Sequence, residues 1–290
     1  MNKLVQFGRM IKFSHTIFAL PFALSSAILA IQYAEFKWTS FIWILLAMIG
    51  ARTAAMSFNR YIDADIDREN PRTANREIPS GKITKSDALI YVILSSLLLI
   101  FSAYRLNLLC FYLSPVALIV ILGYSYLKRF TWLCHVVLGI GLGISPVGAW
   151  IAITGTFSVL PVLIGLAIMF WVAGFDIIYA CQDFEFDSKR KLHSIPVTFG
   201  IERSLSMAKL FHTIAFLLFL APVYVHEFHW IYFIGIAFMA GFLVNEHLLL
   251  RQRDLSKVNL AFFNMNAYFS IVYFSTICID YYLKQAGISG

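Results

Sequence analysis

The sequence predicts an all-α integral membrane protein: one polytopic domain over residues 1–290, with nine transmembrane helices around a central cavity. Three observations predict this. Composition is the first: 60% of the residues are hydrophobic and only 13% are charged, against about 25% charged in a soluble domain. So few charges cannot cover a water-facing surface. The second is a series of apolar windows near 14–33, 40–62, 88–105, 108–127, 132–154, 158–183, 205–225, 230–249 and 260–282, each of spanning length. The third is the placement of the 23 lysines and arginines. With the N-terminus inside, nineteen fall in inner segments, and only Lys37, Arg105 and Lys284 fall outside, the asymmetry of the positive-inside bias. That bias also accounts for the net charge of +7, so no nucleic-acid partner is inferred.

In chain order, the first window, "TIFALPFALSSAILAI", follows Lys3, Arg9 and Lys12. It resembles a secretory signal but is read as an uncleaved span, because the rest of the chain is equally apolar. The second, "SFIWILLAMIGARTAAMSF", carries Arg52 within it and runs into the acidic stretch "NRYIDADIDREN". The third and fourth abut at "YRLNLL"; fusing them would scramble the charge asymmetry, so they are kept apart. The fourth ends in "GYSYLKRFT", and the sixth runs into "DIIYACQDFEFD". Between the seventh and eighth lies "HEFH", which lacks the spacing of the HExxH zinc motif and reads as an interfacial loop. Cys110, Cys134, Cys181 and Cys278 all fall in apolar segments without a CxxC pair, as small buried residues do.

The two long inner loops hold most of the remaining charge. On a helix Asn59, Asp63 and Asp67 share one face, and Asp65 points elsewhere. In the sixth window Asp176, Tyr179, Asp183 and Asp187 trace a second face. Asp63 and Asp67 are matched 120 residues later by Asp183 and Asp187, and "REIPSG" is echoed by "HSIPVTFG". Four helices separate the units, so the repeat is parallel, with a pseudo-twofold axis along the membrane normal. Two acidic motifs would then face one cavity at the cytoplasmic end. Converging carboxylates repel one another, and a divalent cation relieves that. Mg²⁺ takes one or two carboxylates and completes its shell with phosphate and water. The guest implied is a magnesium diphosphate, with Arg68, Arg72, Arg76, Lys128, Arg129, Lys189 and Arg190 available for the remaining phosphate charge. Acids beside bases at helix ends are often weak surface ion pairs; two clusters of matched spacing among only sixteen acidic residues argue for more. Tyr124 and Ser125 lie at the same level and could bind a small polar substrate. Lys12 is either an anchor or a cavity residue.

At these positions the chain resembles the UbiA superfamily of intramembrane prenyltransferases. The first family motif, Asn-x-x-x-Asp-x-x-x-Asp, is Asn59, Asp63 and Asp67; the second, Asp-x-x-Tyr-x-x-x-Asp-x-x-x-Asp, is Asp176, Tyr179, Asp183 and Asp187. "NPRTANREIPSGKI" and "GYSYLKRFT" are close to family patterns. Arg60 after Asn59, where the family usually has Asp, looks like the branch of 4-hydroxybenzoate prenyltransferases and their menaquinone-pathway relatives. The resemblance implies a cavity open laterally to lipid. It implies Mg²⁺ and polyprenyl diphosphate held by Asp63, Asp67, Asp183 and Asp187 with Asn59 assisting, and Arg68, Arg72 and Lys128 as contacts to the diphosphate or to the acceptor's carboxylate, with Lys12 a further candidate for substrate binding. It places Tyr124, Ser125, Asp176 and Tyr179 near a small aromatic acid, with Asp176, Tyr179 and Lys128 catalytic. The acceptor expected is 4-hydroxybenzoate in respiratory quinone synthesis, with a dihydroxynaphthoate-type acid as the alternative. The setting expected is the bacterial inner membrane. A secondary transporter would carry its acids near the midplane in inverted repeats. A CDP-alcohol phosphotransferase would show Asp-x-x-Asp-Gly-x-x-Ala-Arg, which is absent.

Overall fold

The computed structural model describes residues 3–11, 19–35, 37–249 and 258–288, with side chains from residue 6 and, in the last segment, from residue 265. Twelve α-helices follow one another: α1 Lys3–Met10, α2 Leu20–Ala30, α3 Trp38–Glu69, α4 Lys85–Leu106, α5 Leu108–Leu127, α6 Cys134–Thr154, α7 Val159–Ala180, α8 Phe184–Lys189, α9 Ile195–Phe199, α10 Ile201–Leu220, α11 Trp230–Leu249 and α12 Val258–Gln285. Among the described residues seven helices are long and apolar enough to cross a membrane, and they coincide with the second to eighth predicted windows. The first window is the 11-residue α2, with residues 12–18 outside the described part, and the ninth is the 28-residue α12.

The local chemistry explains the boundaries. Asn107 alone separates α4 from α5. Its extended backbone ends α4, its side chain caps α5 by accepting the Cys110 N–H, and its amide donates to the Ile151 carbonyl of α6. The break at "YRLNLL" is therefore built by one capping residue. A capping box of Thr84 and Asp87 opens α4.

Helix α3 differs from expectation. It continues to Glu69 rather than stopping near 62. At 1.5 Å per residue a 32-residue helix is about 48 Å long, beyond the roughly 30 Å apolar core of a bilayer. Its last turns carry the first acidic motif clear of the apolar run.

The second motif is not its structural copy. Helix α7 ends at Ala180, a 3₁₀ turn spans Cys181–Asp183, and α8 follows. The expectation that Asp176 to Asp187 lie on one continuous helical face is corrected here. A 3₁₀ turn advances about 120° per residue instead of 100° and changes the phase of everything after it.

The core is aromatic. Phe22 of α2 lies against Trp171, Phe219 and Tyr273, and Trp171 stacks on Phe269 at 4.7 Å. Helices α6 and α7 touch at backbone distance: a Cβ on Gly139 would lie 2.3 Å from the Met169 carbonyl oxygen, and one on Gly143 2.4 Å from that of Gly165. Close approach through small residues four apart is the usual way helices associate without a hydrophobic driving force.

The "HEFH" loop joins α10 to α11. His226 and His229 are buried. The Lys284 ammonium donates to His226 Nε2 at 3.0 Å, which leaves the ring proton on Nδ1, 2.7 Å from the Tyr33 hydroxyl. Burial, with the Lys284 charge beside it, pushes His226 down to about 4, so the ring is neutral. It clasps the end of α2 to α12.

Candidate active site

Four stretches of chain meet at one end of the bundle: the last turns of α3, the 70–76 connection, the turn between α5 and α6, and the run from Asp176 to Asp187. The side chains of α3 lead. Asp63 is 2% exposed. Its Oδ2 accepts from Lys128 Nζ at 2.7 Å and from Asn59 Nδ2 at 3.1 Å, and its Oδ1 accepts from Arg129 at 3.0 Å. Arg129 is itself aimed by the Ser125 and Ile62 carbonyls. One turn further, Asp67 accepts from Arg76 at 2.7 and 2.8 Å, with the buried Arg60 guanidinium 4.0 Å away.

The connection after the first motif holds the second. Arg72 grips Asp183 with two nitrogens and donates a third bond to the Tyr179 hydroxyl at 2.7 Å. Asn70 donates to the same carboxylate at 3.0 Å. Burial alone would pull Arg72 down, but its bonds to Asp183 and Tyr179 hold it above its ordinary value, so it stays charged. Asp187 is half-buried, within electrostatic reach of Asp183, Lys128 and Arg72. Asp176 accepts from His135 Nδ1 at 2.7 Å. Unpaired carboxylates would be costly in this setting; the pairings offset much of that cost.

Not every expected residue is brought here. Arg68 is 60% exposed and lies 3.6 Å from Asp65, which is also exposed and pairs with Lys85 at 2.7 Å. Both leave the stripe of Asp63 and Asp67. Lys12 lies outside the described residues. Ser125 is buried beside the site, its carbonyl occupied by Arg129.

Tyr124 borders a cavity of about 470 Å³ between α3, α4, α5, α6 and α7. Its walls are apolar and small, with Ala47, Ala51 and Ala55 of α3 facing Gly141 and Gly148 of α6. One charged side chain lines it, Arg52. Arg52 lies seven residues before Asn59, on the same stripe and two turns deeper.

The donor set suits a hard cation: carboxylates from both motifs and the Asn59 amide offer oxygen only. Among the described residues no three His, Cys, Asp or Glu side chains converge on one point. Mg²⁺ takes only one or two carboxylates from protein when phosphate and water supply the rest. In donor chemistry the carboxylates of Asp63, Asp67, Asp183 and Asp187 fit Mg²⁺ on these terms.

Sequence reasoning missed Arg52, Asn70 and His135 as members of this end. Arg52 and His135 had a signal, since an ionisable residue within an apolar segment is a functional candidate by default. Asn70 had none, for its partner is 113 residues away.

Residues 19–268 match the UbiA prenyltransferase family. A 4-hydroxybenzoate octaprenyltransferase of Actinobacillus pleuropneumoniae is 29% identical over 238 residues, 82% of this chain and 80% of that one. Another, from Klebsiella pneumoniae, is 30% identical over 249 residues, 83% and 84% of the two chains. Among solved structures, a UbiA homologue from Aeropyrum pernix K1 in its apo form superposes with a TM-score of 0.83 at 34% identity, over 92% of this chain and 98% of that one. A UbiA homologue from Archaeoglobus fulgidus bound to GPP and Mg²⁺ shares the fold, with a TM-score of 0.69 at 20% identity over 92% and 99%.

Proposed function

The chain belongs to the UbiA prenyltransferase family, and from that premise we propose that it transfers a polyprenyl group from polyprenyl diphosphate to a ring carbon of 4-hydroxybenzoate, in respiratory quinone synthesis. Nine membrane spans, with α2 and α12 as first and last, complete the reading. The observation that carries it is the pairing of Asp63, Asp67 and Asp183 with four cations, at the end of the same helix, α3, that lines an apolar cavity. The acceptor is supported by the names of relatives 29–30% identical.

When bound, Mg²⁺ would supply Lewis-acid charge to the leaving diphosphate. The chain supplies the rest. Arg72, Arg76, Lys128 and Arg129 stand against the metal-site carboxylates and match phosphate oxygens, the arginines in bidentate fashion. The apolar cavity receives the prenyl tail and keeps water from the allylic cation as the C–O bond breaks. Arg52 is the cation for the acceptor's carboxylate, and Tyr124 and Tyr179 flank its ring. Asp176, with one oxygen held by His135, accepts the hydrogen bond of the phenol, which makes the ring carbon more nucleophilic. It is the base for the ring proton.

The test is direct. Purified protein is incubated with geranyl diphosphate, Mg²⁺ and a panel of phenolic and dihydroxynaphthoic acids, and products are read by mass spectrometry. Prenylated 4-hydroxybenzoate is expected, and its formation is expected to stop on chelation by EDTA and resume with added Mg²⁺. Turnover of the naphthoic acids alone moves the enzyme to the menaquinone-type acceptor, and turnover of no aromatic acid overturns the reading.

A further inference from the structure

The geometry points to His135 as the positioning residue of Asp176. His135 opens the first turn of α6 and is 3% exposed. Its Nε2 lies 3.3 Å from the Ile195 backbone N–H, a group that can only donate. That nitrogen therefore carries the lone pair, and the ring proton sits on Nδ1. Nδ1–H is then the donor to Asp176 Oδ2 at 2.7 Å. The ring's orientation is fixed from behind by the backbone, as in the outer-shell partners that orient functional groups elsewhere.

The two partners differ in exposure. The His135 side chain is 4% exposed and that of Asp176 is 26% exposed. One carboxylate oxygen is locked by a buried ring while the group as a whole stays open to the site. A free aspartate could rotate between rotamers; this one cannot do so without leaving a buried Nδ1–H unpaired, which is costly.

The same histidine ties Asp176 to the return of the chain after the second motif. Ile195 begins α9, whose N-cap Ser194 accepts the Val197 N–H. Two residues earlier, the His193 N–H donates to the Lys128 carbonyl at 2.6 Å, and Cys134 Sγ lies 3.8 Å from the His193 carbonyl oxygen. Lys128 in turn reaches Asp63. His135 thus stands where the 193–195 segment, the α5–α6 turn and Asp176 converge. It sets the direction of the aspartate for the acceptor ring and touches neither substrate. This role rests on the proposed assignment of Asp176 to the acceptor.

The experiment is steady-state kinetics of His135→Leu and His135→Asn, with acceptor and prenyl diphosphate varied separately, and a double-mutant cycle with Asp176→Asn. Leucine fills the site without a donor; the asparagine amide can replace Nδ1–H. His135→Leu is expected to lower kcat/KM for the acceptor by about 10–100-fold, the usual cost of losing an outer-shell partner, with KM for prenyl diphosphate unmoved. His135→Asn is expected to recover most of that loss. In the Asp176→Asn background, His135→Leu is expected to cost no further activity, because the residue it orients is already disabled. If the leucine variant does not purify, the asparagine variant decides alone: any loss must fall on the acceptor and spare the diphosphate KM. A raised diphosphate KM, an additive double mutant, or asparagine no better than leucine overturns the proposal while wild-type turnover of the acid leaves the function standing. Wild-type protein that prenylates none of the acids overturns both.

Discussion

Asp65 and Asp67 are two residues apart on one helix and stand in opposite environments. Asp65 is 66% exposed and shares its charge with Lys85 and Arg68. Exposed pairs of this kind contribute little, because water and salt screen them. Asp67 is 4% exposed, gripped by Arg76 and faced by the buried Arg60. Removing one partner of a buried pair strands the other, at about 3–5 kcal/mol. Asp65→Asn is therefore expected to leave kcat and melting temperature near wild type. Asp67→Asn is expected to lower kcat by about 100-fold or more, as losing a preorganised electrostatic group commonly does, and to lower the melting temperature in detergent. Equal effects of the two would remove Asp67 from the proposed metal-binding stripe. Arg52 makes a separate prediction. If it holds the acceptor's carboxylate, Arg52→Gln loses a charge-assisted hydrogen bond of about 1.5–3 kcal/mol. KM for 4-hydroxybenzoate should rise about tenfold or more while KM for prenyl diphosphate stays level. A rise in the diphosphate KM alone would place Arg52 with the other substrate.

The helices themselves were largely legible, because a lipid-facing helix must be apolar over its whole length and few other constraints act on it. The windows from the second to the eighth are helices here. The first motif was legible too: Asn59, Asp63 and Asp67 sit on one uninterrupted helix, where spacing fixes direction. The second was legible only as composition. The 3₁₀ turn at Cys181–Asp183 breaks the phase, and no cap or proline marks it in the sequence. The cations were harder still. Arg68 and Arg72 look equivalent by distance from the motif, yet one follows Asp65 into solvent and the other crosses to Asp183. Only the chain path decides between them. Helix packing gives the prediction at this scale. A Cβ on Gly143 would meet backbone of α7, whereas one on Gly148, five residues along the same helix, would meet nothing within 4 Å. Gly143→Ala must push α6 from α7 and should cost about 1–3 kcal/mol, shifting the base that carries Asp176. Gly148→Ala should be neutral or gain up to about 1 kcal/mol from helix propensity. Thermal unfolding in detergent compares the two directly.

For the molecule as a whole, the proposed function makes the polar end and the apolar cavity one device, and a test of the cavity is a test of that arrangement. A space of about 470 Å³ is in the range that encloses a drug-sized group. On the proposed function a long polyprenyl chain would leave it toward the lipid, past lining residues such as Val116, Phe157 and Leu166 that are exposed on the outer surface. Gly148 lines the same cavity and lies thirteen residues along α6 from His135, about 20 Å at the helical rise. Phenylalanine there has room at its Cβ and projects its ring into the path of the tail far from the carboxylates. Gly148→Phe is thus expected to leave geranyl diphosphate as a substrate, with kcat/KM close to wild type, and to lower kcat/KM for an octaprenyl diphosphate by about 10–200-fold, the discrimination an apolar pocket achieves by size. The ratio of the two substrates is the measurement, because a general loss of folded enzyme cancels from it. A ratio equal to wild type would show that the tail does not run along α6, and the cavity would then belong to something other than the prenyl group.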